Sequence, residues 1–133
     1  MKEVLGMELI RQKEFVQSYH YDALPDNHSE ETAINVGINP FEIKEEMNID
    51  PETNSVLGVR IEFKIVLKKV ILTGDVAQFV QVKNRKVEKI EDLTPDEVNE
   101  LVRPLFLLIE RMTYEITEIA LDAPGVQLNF SQE

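Results

Sequence analysis

Two histidines and the carboxylates near them are the residues of this sequence whose types suggest chemistry. His20 and His28 lie eight positions apart, and four carboxylates lie near them in sequence: Asp22, Asp26, Glu30 and Glu31. Because imidazole and carboxylate groups are common ligands of zinc and other divalent ions, a metal site is one interpretation of the pattern. Acidic loops are more often simply solvated, so we expect no metal site and no cofactor.

The catalytic motifs of the common enzyme classes are absent. The sequence contains no Ser-His-Asp order, nucleophile elbow, phosphate-binding loop or dinucleotide fingerprint, and its five glycines form no glycine-rich cradle. Without cysteine, it can form no disulfide and use no thiolate. The adjacent pairs Glu45-Glu46 and Glu91-Asp92 have nothing around them that predicts a water-poor pocket, where a raised pKa would permit acid catalysis. We therefore predict that the protein is not an enzyme.

The charge balance narrows the choice of partner. Asp and Glu total 25 against 14 Lys and Arg, a formal net charge of −11, which argues against nucleic acid and anionic membranes. No apolar run approaches the roughly 20 residues of a membrane span, and the start shows no signal-peptide pattern, so we expect a cytoplasmic protein without membrane insertion. The charge favours solubility, and docking to a basic partner surface is the alternative.

The clearest structural element is a strand over residues 56–72. Within it every second side chain from 57 to 67 is apolar, and Arg60, Glu62 and Lys64 lie between them. Successive side chains of a strand point to opposite faces, so one face is expected on the core and the other toward water or a partner.

Three further strands complete the predicted sheet. Alternating apolar residues predict strands over about 4–22, 34–47 and 76–88, with a polar loop at 23–33 as a crossover or lid. We expect a short hairpin connection at Thr73-Gly74-Asp75. The interpretation is one domain over residues 1–133, built on a four-stranded antiparallel sheet.

Helical signals follow. Thr94 supplies an N-cap, Pro95 the first helical position and Glu97 the third. The sequence predicts a helix over about 95–103, a break at Pro104 and a second helix over 104–121. The second helix has apolar residues at helical spacing that predict a core face: Leu105, Leu108, Met112, Ile116, Ile119 and Ala120. After residues 122–125 end it, the apolar tail is expected to lie extended against the body. The fold class is therefore α+β, with C-terminal helices packed on one face of the sheet.

Three apolar residues of the second helix point away from this core face. They are Phe106, Leu107 and Tyr114, the last of which lies seven residues after Leu107 and shares its side. Either other core elements cover them, or they line a groove or subunit interface, because large exposed apolar patches are uncommon on monomers.

The stretch RPLFLLIERMTYEITEIALDAPGVQLNF resembles the C-terminal part of the SecB export chaperone. Pro104, Pro124, Leu128, Asn129 and Phe130 stand in matching order, and the order of elements matches over about residues 4–130. The chain is similar to small acidic bacterial proteins, themselves uncharacterised, built on a SecB-like fold. The resemblance implies a non-enzymatic homodimer or homotetramer that holds unfolded polypeptides between the crossover loop and the long helix.

That resemblance gives the candidate sites. The residues expected to bind a peptide or partner are Tyr19, Tyr21, Leu24, Phe106, Leu107 and Tyr114. Arg60, Glu62 and Lys64 become candidates for a subunit contact. The leading hypothesis is a chaperone-type module that binds extended apolar segments of protein. The alternatives are a structural or adaptor oligomer that docks one folded partner through its acidic surface, and a small-ligand carrier.

Overall fold

A five-stranded antiparallel sheet with one C-terminal helix on one face makes up the fold. The structure is a computed structural model and describes residues 7–130. Its strands are β1 (Glu8–Arg11), β2 (Phe15–Ala23), β3 (Ala33–Phe41), β4 (Ser55–Val66) and β5 (Val70–Lys83), and its helix is α1 (Pro95–Leu121). Two short 3-10 turns, Glu45–Met47 and Ile90–Asp92, lie in the connections. In this part of the chain, no helix has the length and apolar character needed to cross a membrane.

The long hairpin of β4 and β5 is the centre of the sheet. β3 pairs with β4 on one side, and β1 and β2 both pair with β5 on the other. The hairpin turns at residues 67–69, where the Leu67 amide donates to the Val70 carbonyl at 2.9 Å. The connection expected at Thr73-Gly74-Asp75 is therefore wrong. The two lysines at 68 and 69 interrupt the apolar alternation and mark the turn instead.

The first predicted strand is two strands. Residues 12–14 separate β1 from β2, although the Gln12 amide still donates to the Phe79 carbonyl at 2.9 Å. The register also shifts between Val16 and Ser18, which is a bulge. Gly74 lies opposite this bulge, where a Cβ would clash with the Ser18 carbonyl oxygen. The start of the predicted strand, residues 4–6, lies outside the described residues.

The helix is not divided at Pro104, in contrast to the sequence-based expectation. Proline has no N–H, so the carbonyl of Glu100, one turn earlier, loses its donor within the helix. The Arg11 guanidinium donates to that carbonyl at 2.8 Å and to the Leu101 carbonyl at 3.3 Å. A side chain from the end of β1 thus supplies the donor that the proline removes, and the helix continues through Pro104.

The core lies between α1 and one face of the β4–β5 hairpin. The alternate side chains of β4 predicted to face the core are at most 4 % exposed: Leu57, Val59, Ile61, Phe63 and Ile65. The buried stripe of α1 contains Leu101, Leu105, Ile109, Thr113 and Thr117, all 0 % exposed. The predicted core face of the helix is thus partly wrong: Leu105 is buried and Leu108, Met112 and Ile116 are half-buried, but Ala120 is exposed and Ile119 is 77 % exposed. The buried stripe instead contains Thr113 and Thr117, which a hydrophobicity pattern does not select because threonine carries a polar hydroxyl.

A half-buried ion pair connects to the start of α1. Glu97 is 5 % exposed, forms an ion pair with Arg85, and accepts the Thr94 amide at 2.9 Å. The hydrogen bond from Arg85, together with those from Thr94, holds the pKa of Glu97 below its ordinary value. The pair therefore connects the segment after β5 to the helix through a carboxylate whose ionised form is favoured.

We expect this pair to make stability depend on pH. A lowered folded-state pKa contributes stability above the ordinary pKa of glutamate, about 4.3, and loses it as pH falls through the folded value. Glu97→Gln should lower the free energy of unfolding by about 1–2 kcal/mol at pH 7, and this difference should shrink below pH ~4. Denaturation curves at several pH values measure it, with the exposed neighbour Asp96→Asn as control. A gap that stays constant down to pH ~3 would contradict the assignment.

Candidate functional site

The tail, defined here as residues 125–130, folds back along α1. Asp122 takes a left-handed conformation, with φ of 51°, and ends the helix. The Val126 amide then donates to the Thr117 hydroxyl oxygen at 2.8 Å, and the Phe130 amide donates to the Glu110 carboxylate at 2.7 Å. Because the chain passes Thr117 before Glu110, the tail runs antiparallel to the helix.

The tail contacts the protein through every second side chain. Val126, Leu128 and Phe130 are half-buried, whereas Gln127 and Asn129 are exposed. Leu128 and Phe130 pack against the hydrophobic core, so the alternation is that of a strand with one face inward. The expectation that the apolar tail lies extended against the body is therefore confirmed over residues 126–130, and residues 131–133 lie outside the described part of the chain.

Two aromatic side chains of α1 receive the tail. The Phe130 and Phe106 rings pack with centroids 5.0 Å apart. At the other end, a Cβ on Gly125 would stand 2.8 Å from ring carbons of Tyr114, so the backbone there passes directly over that ring. We define the α1 groove as the surface of Phe106, Glu110, Tyr114 and Thr117.

A buried threonine joins the groove to the helix. The Thr117 hydroxyl donates to the Thr113 carbonyl at 2.7 Å while it accepts the Val126 amide. The Thr113 hydroxyl is equally buried, but it has no hydrogen-bond partner among residues 7–130. One threonine therefore holds the tail and the other carries an unsatisfied polar group.

Leu107 is the predicted groove residue that remains open. Its side chain is 51 % exposed and lines three neighbouring cavities of about 410, 300 and 390 Å³. Phe106 and Tyr114 are half-buried and in contact with the tail. The surplus apolar surface of α1 thus forms a groove that part of this chain already occupies, beside an open apolar edge.

The other three predicted residues belong to β2 and the residue after it. Tyr19, Tyr21 and Leu24 are half-buried, and both tyrosines pack against the core. Tyr19 lies 5.9 Å from Phe63 between ring centroids, and burial raises the pKa of its hydroxyl. None of the three lines the cavities around Leu107, so the structure does not bring them into the α1 groove.

The charged side chains of β4 form ion pairs within the chain. Arg60 forms ion pairs with Asp75 and, at 3.1 Å, with Glu62. Lys64 pairs with Glu30 of the polar loop at 3.1 Å. The Arg60–Glu62 and Lys64–Glu30 pairs are exposed and contribute little to stability, whereas Asp75 is only 8 % exposed. Since each candidate for a subunit contact already has a partner, a second subunit would have to compete with these pairs.

An aromatic cluster that the sequence did not predict lies on the sheet face opposite α1. Phe15, Phe41 and Phe79 are 41, 49 and 37 % exposed, and Phe79 lies 6.4 Å from Phe15 and 4.9 Å from Phe41 between ring centroids. Phe41 covers Gly58, where a Cβ would be 2.5 Å from the nearest ring carbon, and a cavity of about 680 Å³ opens beside it. The three rings come from three strands, so only the register of the sheet reveals the cluster. The apolar pair Ala77 and Phe79 was its one local signal.

The histidines do not form a metal centre in the described part of the chain. There, no group of three or more histidine, cysteine, aspartate or glutamate side chains has an arrangement that could hold an ion. His20 is exposed, and the His28 Nδ1 atom accepts the Glu30 amide at 3.2 Å. His28 therefore stabilises its own loop.

An antiparallel sheet with a long C-terminal helix on one face is the SecB-like fold. The structure superposes with a TM-score of 0.58 on the SecB-like chaperone Rv1957 of Mycobacterium tuberculosis, solved in complex with a ChAD peptide from the HigA1 antitoxin Rv1956. The match covers 93 % of this chain and 90 % of that chain at 14 % sequence identity. The predicted fold class is confirmed.

The chain belongs to the family described as protein of unknown function, DUF1149, whose model matches residues 7–130. It is also similar to a protein of unknown function from Streptococcus agalactiae. That crystal structure gives a TM-score of 0.83 and 33 % identity, over 94 % of this chain and 99 % of that chain. No curated protein matches the sequence. The predicted resemblance to uncharacterised SecB-like proteins is therefore confirmed.

Proposed function

We propose that this protein is a non-enzymatic, chaperone-type module of the cytoplasm that binds extended segments of other polypeptides along α1. The observation that carries the proposal is the tail, which lies in the α1 groove as an extended segment with alternate apolar side chains inward. A surface that holds one such segment has the shape and chemistry to hold another. The open side chain of Leu107 extends the apolar surface beyond the tail.

The test is suppression of the aggregation of a slow-folding client protein. Leu107→Ser should weaken client binding about fivefold, because a half-exposed leucine contributes about 1 kcal/mol when a ligand covers it. Ile119→Ser is the matched control: Ile119 is 77 % exposed on the same helix. It lies roughly half a turn from Glu110, at about 100° per residue. Absence of suppression by the wild-type protein at stoichiometric excess, or equal loss in both variants, would contradict the proposal.

The effects of Phe106→Ser and Tyr114→Ser on client binding are harder to interpret. Both residues contact the tail, so each substitution removes groove surface and loosens the tail together. Binding through the groove should also change little with salt, because its contacts with an extended segment are side-chain packing and hydrogen bonds from uncharged backbone amides. An adaptor that docks a folded partner through its acidic surface should instead lose affinity as salt screens its charge of −11.

The aromatic cluster favours a second candidate, the carriage of a small apolar ligand. Its cavity of about 680 Å³ has the size of small-molecule sites and is lined by Phe41, Met47, Val56 and Phe79 among others. A ligand screen by native mass spectrometry tests this candidate, with Phe79→Ser as the variant that should lose the ligand.

We also propose that the protein forms a homodimer or homotetramer. The exposed aromatic cluster supports this, because burying exposed aromatic side chains against another subunit would be favourable. Light scattering at micromolar concentration tests it, and the mass of a single chain would exclude it.

A further inference from the structure

We propose that the tail is a built-in competitor for the α1 groove. On this proposal the partner is an extended segment with apolar residues at three alternate positions, bound antiparallel to α1. The inference rests on the proposed function and specifies the partner and the regulation of that same site. It follows from how the tail is held, how firmly it is held and where the groove continues.

The tail is held by contacts that another segment can reproduce. Its backbone amides at Val126 and Phe130 donate to side chains of α1, the Thr117 hydroxyl and the Glu110 carboxylate. Every non-proline residue carries the same amide, so these two bonds do not depend on sequence. Selection comes from the inward side chains at 126, 128 and 130, which require apolar residues.

The tail also indicates the direction in which a partner segment would run along α1. The amides at 126 and 130 are four residues apart and meet Thr117 and Glu110, which lie seven residues apart on α1. Four residues of extended chain span about 13 Å, and seven residues of helix rise about 10.5 Å. The two spans agree to within about 3 Å, so an extended segment antiparallel to α1 can donate both amides. Its inward side chains then fall at alternate positions.

The tail is held less firmly than the core beneath it. Its three inward side chains are half-buried, whereas Leu105 and Ile109 on the inner side of α1 are 0 % exposed. The hydrogen bonds from the Val126 and Phe130 amides go to side chains of α1, so release of the tail breaks no bond of the sheet ladder or of the helix backbone. Displacement is therefore possible without unfolding the domain.

The groove continues past the end of the tail. A cavity of about 390 Å³ is lined by Phe130 and Phe106 and extends along α1 to Arg103 and Asn99. A longer segment can thus use surface beyond position 130.

The expected change in partner affinity depends on the fraction of time for which the tail occupies the groove. A groove that is free only one tenth of the time binds a partner with an apparent affinity about tenfold weaker than its intrinsic affinity. Tethering favours the tail further, because a short linker gives it an effective concentration of about millimolar. Releasing the tail should therefore strengthen partner binding.

The test uses full-length protein and a fluorescent synthetic peptide with the sequence of residues 123–130, APGVQLNF. In Gly125→Val, the added side chain clashes with Tyr114 and lifts the tail. Fluorescence anisotropy should show the peptide bound about tenfold more tightly to Gly125→Val than to wild type. A peptide with serine at the positions of Leu128 and Phe130 should bind neither protein.

A second pair of variants covers the case in which Gly125→Val disturbs the end of the helix. Phe130→Ser removes the ring that packs on Phe106 but leaves the helix end intact, and it should also strengthen peptide binding. Its control is Gln127→Ser, at an exposed position of the tail, which should bind the peptide like wild type. Circular dichroism melting curves confirm that each variant is folded.

The outcomes separate this inference from the proposed function. Equal peptide affinity in wild type and both tail variants overturns the competition, while client protection by all of them leaves the proposed function standing. Failure of the peptide to bind any protein overturns the inference, and failure of client protection as well removes the proposed function. A dimer that forms on tail release without a gain in peptide affinity identifies a second copy as the occupant and overturns the inference.

Discussion

Ile109→Ala should lower the free energy of unfolding by about 2–5 kcal/mol, because it removes a fully buried side chain and leaves a cavity that the rigid surroundings fill only in part. Ile109 is 0 % exposed and lies in the buried stripe of α1, between Leu105 and Thr113. The inner face of β4 and β5 opposite it is equally buried, so little free volume is available for collapse.

Chemical denaturation measures this loss, with Leu107→Ala as the matched control on the same helix. Leu107 is 51 % exposed, so its truncation should cost about 1 kcal/mol or less. Similar losses for the two variants would show that α1 does not pack on the sheet through the stripe described here. Retention of the denaturant slope in both variants would confirm that the comparison concerns stability alone.

The two buried threonines of α1 should respond in opposite directions to the same substitution. Thr113→Val removes a buried hydroxyl without a partner among residues 7–130 and should raise the free energy of unfolding by about 1 kcal/mol. Thr117→Val removes the acceptor of the Val126 amide and the donor to the Thr113 carbonyl, and should lower it by about 1–3 kcal/mol. Threonine and valine have similar shape and helix propensity, so the contrast isolates the hydroxyl.

The same pair of variants reports on the tail. Thr117→Val should speed hydrogen exchange at the Val126 amide, because that amide loses its acceptor, whereas Thr113→Val should leave the exchange rate unchanged. Equal effects of the two substitutions on stability and on exchange would contradict the role assigned to Thr117.

The sequence predicted those features of the fold that depend only on neighbouring residues. The alternation along β4 and the capping residues Thr94 and Glu97 are properties of neighbouring residues, and both predictions are confirmed. The broken first strand and the continuous helix depend instead on distant contacts. Gly74 faces the bulge at Ser18, and Arg11 satisfies a carbonyl 89 residues away, so neither feature has a signal within its own segment.

In the candidate site, too, the sequence predicted the local features but not the contacts between distant segments. The sequence singled out Phe106, Leu107 and Tyr114 because their helical positions leave them off the core face, and it predicted an extended tail. It could not show that the tail lies on these residues, because a helical pattern gives the direction of a side chain but not the segment that covers it. Tyr19 and Tyr21 were grouped with them through the resemblance, whereas the structure packs both tyrosines on the core.

Amide chemical shifts during titration with a saturating client peptide test the central claim most directly. If the α1 groove is the binding surface, the amides of Val126, Leu128 and Phe130 should move to free-chain values as the peptide binds, and those of Phe106 and Tyr114 should shift with them. Binding that leaves the tail amides unchanged and perturbs Phe41 and Phe79 instead would contradict the account and assign binding to the opposite face of the sheet.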